Sequence, residues 1–216
     1  MGKYKSYAQK LDSLARNRFE EYKTAKENFD KAEKEWKNLP SSWNTAESRN
    51  KKIAAESNYK IAQGYLRDAR ENLQKTMDEV TPIRNELIAE VSREWAMNPD
   101  DLDRNTVDLL NSGICSPNEI ADLFERAESP TTKRFVAKFA RDEVARLPKS
   151  MERSKALEAE TLLRSVAHKG DLFKDVNNAD PVMRFDASVE VLRRSIRTPS
   201  LMNKWDEFTG ELLSEM

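Results

Sequence analysis

His168 is the only histidine and Cys115 the only cysteine in 216 residues. A cysteine nucleophile needs a base within hydrogen-bond reach, and nothing local in the sequence places His168 beside Cys115. One histidine also excludes multi-histidine metal sites and most relays that pair histidine with a nucleophile. Glu86, Glu90 and Glu94 recur every four residues and share one helix face. Helix-borne di-metal sites pair such glutamates with a histidine three residues on, so this stripe is read as solvated surface. The five glycines (Gly2, Gly64, Gly113, Gly170, Gly210) are too far apart to cradle a phosphate or turn around a dinucleotide. No catalytic, cofactor-binding or metal-binding residue is assigned, and the chain is expected to be no enzyme and to carry no cofactor.

Two basic groups remain. Lys133, Arg134, Lys138, Arg141, Arg146 and Lys149 decorate one segment, and Arg184, Arg193, Arg194 and Arg197 another. Such cations can grip phosphates without reading sequence, or meet an acidic protein. The contacts expected to serve this are Lys133, Arg134, Lys138, Arg141, Arg193, Arg194 and Arg197. Asp142, Glu143, Asp186 and Glu190 interrupt the field, so nucleic acid ranks below a protein partner.

These residues must be held by helices, because no strand-like alternation bounded by turn signals occurs. In residues 4–38, Tyr4, Tyr7, Leu11, Leu14, Tyr22, Ala25, Phe29, Ala32 and Trp36 recur at helical spacing. A strict heptad would place Arg18 and Glu21 in that seam, yet Tyr22 continues it instead, a four-residue stutter. Leu39-Pro40 ends the helix, and Ser41, Ser42 or Asn44 is expected to cap the next. That second helix is read through Ile53, Ile61, Tyr65, Ala69, Leu73, Met77 and Val80, with Tyr22, Phe29, Trp36, Ile61, Leu66 and Leu73 joining the pair. A short loop between long helices predicts an antiparallel hairpin. Ala54, Ala55, Ala62 and Gly64 either allow close approach or mark loose packing. At Thr81-Pro82 the helix either kinks or a new one starts.

Beyond Asn98-Pro99 the segments shorten. Ser116-Pro117-Asn118-Glu119 is a capping box that opens a helix to Ala127, and Ser129-Pro130 opens another, with Phe135, Val136, Phe139, Ala140 and Leu147, stopped by Pro148. A helix over 151–168, around Leu157, Leu163 and Val166, is expected to close at Gly170. Val182, Phe185, Val189, Leu192 and Ile196 form a strict seam after Asp180-Pro181, and a last helix carries Leu201, Trp205, Phe208, Leu212, Leu213 and Met216. The predicted fold is all-α: a coiled-coil-like hairpin over 1–97, with its loop near 39–44 and a break near 81–82. A bundle of about five short helices follows over 98–216, though its helices could also pack on the hairpin, and residues 81–97 could belong to either part.

Composition agrees. Charged residues make up 35% and hydrophobic ones 38%, against roughly 25% charged in average domains, as long helices with narrow apolar stripes require. Net charge is −1, with 17 Lys/Arg against 13 Asp/Glu in residues 1–80. With one cysteine there is no intrachain disulfide, which fits a reducing compartment. Met1-Gly2-Lys3 has no apolar signal region, myristoylation at Gly2 is not expected, and no run is apolar enough to span a membrane. The expected location is cytoplasmic.

The stretch Leu109-Leu110-Asn111-Ser112-Gly113-Ile114, followed by Ser116-Pro117-Asn118-Glu119 and Phe135-Val136-Ala137-Lys138-Phe139-Ala140, resembles a segment of helical proteins encoded by tailed phages and prophages of Gram-positive bacteria. The resemblance covers residues 109–140 and implies a phage product from the virion-assembly region, in the host cytoplasm or associated with the virion. It carries over no functional residue. Taken together, the chain is expected to be a helical interaction or scaffolding protein that self-associates through helix faces. Two other readings stay open: a nucleic-acid-associated protein, and an inhibitor of a host enzyme.

Overall fold

The computed structural model describes residues 3–39, 44–147 and 152–216. The loop residues Pro40, Ser41 and Ser42, the stop at Pro148, and Gly2 and Lys149 lie outside them. Among the described residues there are eight α-helices and no strand: α1 (Lys5–Lys37), α2 (Ala46–Trp95), α3 (Arg104–Asn111), α4 (Pro117–Arg126), α5 (Pro130–Val144), α6 (Arg153–Leu172), α7 (Asp180–Arg197) and α8 (Trp205–Ser214). None is long and apolar enough to cross a membrane. The chain divides into two compact units, residues 1–85 with 184–216, and residues 86–183.

In the first unit α1 and α2 pack against each other as the expected hairpin. The antiparallel register is marked by Trp36 and Phe29 against Tyr59 and by Arg18 reaching Glu79 at 2.6 Å. Ala25, Leu66 and Ala69 form its buried middle, with Tyr22 and Phe29 against them. The stutter positions make a polar layer: Arg18 also bonds Glu21 at 3.1 Å, and Asn72 donates to Glu21 at 2.7 Å. Thr45, which the sequence reading passed over, caps α2 through a reciprocal pair with Ser48: the Ser48 amide donates to the Thr45 hydroxyl at 3.1 Å and the Thr45 amide to the Ser48 hydroxyl at 3.2 Å. Of the two alternatives at Pro82, α2 continues through it.

The expected seam of α2 holds at Leu66, Ala69, Leu73 and Val80, which are buried, but needs correction nearer the loop: Ile53, Ile61 and Tyr65 are exposed, and Ala62 is buried, as Thr76 is further on. Ala62 and Leu66 each follow one of the exposed residues, about 100° further round the helix. Small Ala62 and Ala69 let α1 approach, so the larger Ile61 and Tyr65 are left outside.

Residues 184–216 belong to this hairpin unit, the alternative in which later helices pack on it. Arg84 Nε and Nη2 grip both carboxylate oxygens of Asp186 at 2.6 Å, a bidentate pair joining α2 to α7. Trp205 of α8 stacks edge-on against Phe19 of α1 at 5.8 Å, and its indole N–H donates to Asp12 at 2.8 Å. The Tyr4 amide donates to the Met216 carbonyl at 3.0 Å, so the two ends of the described chain meet.

The second unit is built around Leu110, Ile120, Phe124, Val136, Ala137, Ala140, Leu163 and Val166. The capping box is fully formed: the Glu119 amide donates to Ser116 Oγ at 3.3 Å and the Ser116 amide to the Glu119 carboxylate at 2.7 Å. Ser116→Ala is expected to cost about 1 kcal/mol in thermal melts. The Ser116 amide, then its hydroxyl, hold the Glu119 carboxyl below its ordinary value. A depressed carboxyl supports the folded state above its unfolded pKa and loses that support as pH falls through its folded one. The Ser116→Ala deficit is therefore expected to shrink in acid, where wild type loses the same box.

Two expectations for α6 are overturned. Leu157 is exposed while Leu163 and Val166 are buried. Gly170 does not close the helix, which runs to Leu172. It lies where α6 crosses α5, and a Cβ there would stand 2.0 Å from that of Ala137.

Candidate functional site

The seam displacement in α2 creates the first candidate surface. Ile53, Ile61 and Tyr65 are 65%, 54% and 66% exposed. Ala54, Ser57 and Gly64 lie beside them, and a Cβ built on Gly64 meets nothing within 4 Å. Nothing in the surrounding chain requires glycine there, although glycine inside a helix costs about 1 kcal/mol relative to alanine. The flanking charges pair along the helix as Glu47–Lys51, Glu56–Lys60 and Arg67–Asp68. Each of these charges is thus balanced by a neighbour on the same helix.

The basic residues chosen from sequence fall in both units. Lys133 is turned inward, its ammonium over the rings of Phe124 at 5.6 Å and Phe173 at 5.8 Å. Arg134 donates through Nη2 to the Phe173 carbonyl, while its Nε is buried with no hydrogen-bond partner among the described residues. Arg141 pairs with Asp171 at 2.6 Å. Arg193 and Arg194 share one carboxylate, Glu190, at 2.8 and 3.2 Å, and these arginines, Arg194 first, hold it below its ordinary value. Lys138 and Arg197 are exposed and form no ion pair among the described residues. The structure brings Arg134, Lys138 and Arg141 together at one cleft and puts Arg193, Arg194 and Arg197 in the other unit.

That cleft, of about 660 Å³, lies in the second unit between α5, α6 and the segment 97–102. Its apolar wall is Met97, Pro99 and Leu102, opposite Phe135, and the α5–α6 crossing at Ala137 and Gly170 also lines it. Two hydroxyls tie the wall to the start of α5: the Asn98 amide donates to Thr131 Oγ1 and the Asp103 amide to Thr132 Oγ1, each at 3.0 Å. Arg134, Lys138, Arg141 and Lys174 edge it, with Asp171 as the one carboxylate. Lys174, then Arg141, pull the Asp171 carboxyl below its ordinary value. Arg134, Lys138 and Arg141 were legible in the sequence, but Lys174 and the wall were not. Asn98-Pro99 and Ser129-Pro130 read only as boundaries, and no periodicity links 97–102 to 131–141 and 170–174.

Cys115 and His168 line different clefts. Cys115 donates to the Leu109 carbonyl at 3.4 Å. Burial pushes its thiol up, and the Glu119 charge adds to this, the reverse of what activates a nucleophile. His168 is exposed and lines a second cleft of about 940 Å³ with Arg141, Arg153 and Arg164. Glu90 and Glu94 are half-buried on α2, and among the described residues no three ligand-type side chains converge as a metal would require. No protein-family model matches the chain, and no curated protein or solved structure matches it either.

Proposed function

We propose that this chain is a helical scaffolding protein that binds a second copy of itself through the outward face of α2. The observation that carries this is the exposure of Ile53, Ile61 and Tyr65 in a helix whose other side buries Ala62, Leu66, Ala69 and Leu73. Burying a side chain of that size contributes about 1.5–3 kcal/mol. Ala54, Ser57 and Gly64 leave room for another helix. The resemblance of residues 109–140 supports reading the scaffold as a phage or prophage product acting in virion assembly.

Sedimentation velocity over a concentration series tests the reading. Wild type is expected to dimerise or assemble further. Ile61→Lys with Tyr65→Lys is expected to weaken association at least about a hundredfold, or roughly 2.7 kcal/mol, with helicity unchanged because both sites are exposed. A wild type that stays monomeric at every concentration, or a variant that associates as well as wild type, would sink it.

A further inference from the structure

We propose that the cleft between α5, α6 and residues 97–102 is a binding site for a small amphiphilic carboxylate. Its ligand has an apolar body against Met97, Pro99, Leu102 and Phe135 and a head group at Lys138. This site is separate from the α2 face and does not depend on self-association.

Three observations converge on it. The first is size: about 660 Å³ falls within the roughly 300–1,000 Å³ typical of small-molecule sites. The second is preorganisation. Thr131 and Thr132 hold the 98–103 backbone through amide hydrogen bonds, and Ser129 Oγ donates to the Asp101 carbonyl at 2.6 Å. The apolar wall is therefore fixed before any ligand arrives, which lowers the ordering cost of binding. Met97 at its lip is 62% exposed, an apolar surface without cover in this unit.

Charge is the third. Over residues 86–183 acids outnumber bases, 19 to 14, yet four cations and one carboxylate line this cleft. Asp171 is already shared between Arg141 and Lys174. Lys138 has no ion-pair partner among the described residues, so its ammonium is free to take an anion. An uncharged ligand leaves that donor unused, and a cationic one meets repulsion from the rim. A carboxylate gains a charge-assisted bond.

Calorimetric titration of the full chain with decanoate, kept below micelle formation, tests the assignment beside decyltrimethylammonium and decanol. Decanoate is expected to bind saturably at one per chain, and decyltrimethylammonium at least about tenfold more weakly. Lys138→Glu should weaken decanoate about tenfold while Lys138→Arg retains it, and Met97→Gln should weaken decanoate and decanol alike. All three substitutions are at exposed positions, and melting curves confirm folding. The proposal is overturned by absence of saturable decanoate binding, by equal binding of the cationic amphiphile, or by indifference to Lys138→Glu. It is also overturned if a short acidic peptide carrying leucine or phenylalanine displaces decanoate and binds more tightly, because the cleft then belongs to a protein segment.

Discussion

Gly170→Ala is expected to destabilise the 86–183 unit by about 3 kcal/mol, against the ordinary trend for this substitution. Inside an exposed helix, alanine is better than glycine by up to about 1 kcal/mol. At Gly170 the new Cβ would stand 2.0 Å from the Cβ of Ala137 and 3.5 Å from its Cα. Carbon atoms rest at about 3.5–4.0 Å, so the helices must part by more than an ångström. Both colliding atoms are fixed directly to backbone, and no rotamer change relieves them. Overpacking of this kind costs about 1–3 kcal/mol or more. Val136, Ala140, Leu163 and Val166 lie in the same core, so separation also loosens their contacts. Two internal controls exist. Gly64→Ala and Gly210→Ala meet nothing within 4 Å and should stabilise by up to about 1 kcal/mol. Ala137→Gly should relieve Gly170→Ala, giving a strongly favourable coupling in a double-mutant cycle. Urea midpoints for the set decide the matter, and a Gly170→Ala protein that gains stability as Gly64→Ala does would refute the crossing.

The same glycine shows what a linear reading can carry. Gly170 follows an amphipathic run, so it looks like a helix terminator; only the neighbouring helix reveals that α6 continues and that α5 requires the missing side chain. Helix starts were legible wherever the cause is local. Ser116 with Glu119, and Ser129 before Pro130, satisfy orphan amides within four residues, and the structure holds each as expected. The hairpin was legible too, since two long seams around a proline leave few other partners.

Leu66, Ala69, Leu73 and Val80 were legible as the side of α2 that is buried, but its course nearer the loop was not. Ile61 and Ala62 differ by one position, and hydrophobicity alone favours the larger residue. Helix separation favours the smaller, and it prevails. Nor does any local signal tie Trp205 to Asp12, 193 residues away. Three cations of the candidate cleft were visible as a basic run, but the run could not show that Lys133 turns onto aromatic rings while Lys138 forms no ion pair among the described residues. That distinction depends on Phe173 and on the wall at 97–102, which are distant in sequence.

Trp205→Ala is expected to detach α8 from α1 at a cost of about 3–5 kcal/mol. Trp205 is 3% exposed, and three contacts depend on its ring or lie next to it. Its edge meets Phe19, its N–H meets Asp12, and the adjacent Asp206 pairs with Arg16. Truncation empties the pocket against Phe19 and removes the hydrogen bond together. Trp205→Phe separates the two effects. Phenylalanine keeps most of the apolar contact, and Asp12 still accepts from Arg16 at 2.8 Å, so its carboxylate is not stranded. That variant should lose only about 1 kcal/mol. The exposed Arg16–Asp206 pair cannot hold α8 alone, since such pairs contribute about 0–1 kcal/mol. The bond from the Tyr4 amide to the Met216 carbonyl closes the far end of the same helix and depends on α8 staying docked. Hydrogen exchange should therefore accelerate through α8 and the first turns of α1 in Trp205→Ala, and little in Trp205→Phe. Equal exchange in both variants would mean that the indole hydrogen bond, not the buried ring, fastens the end of the chain.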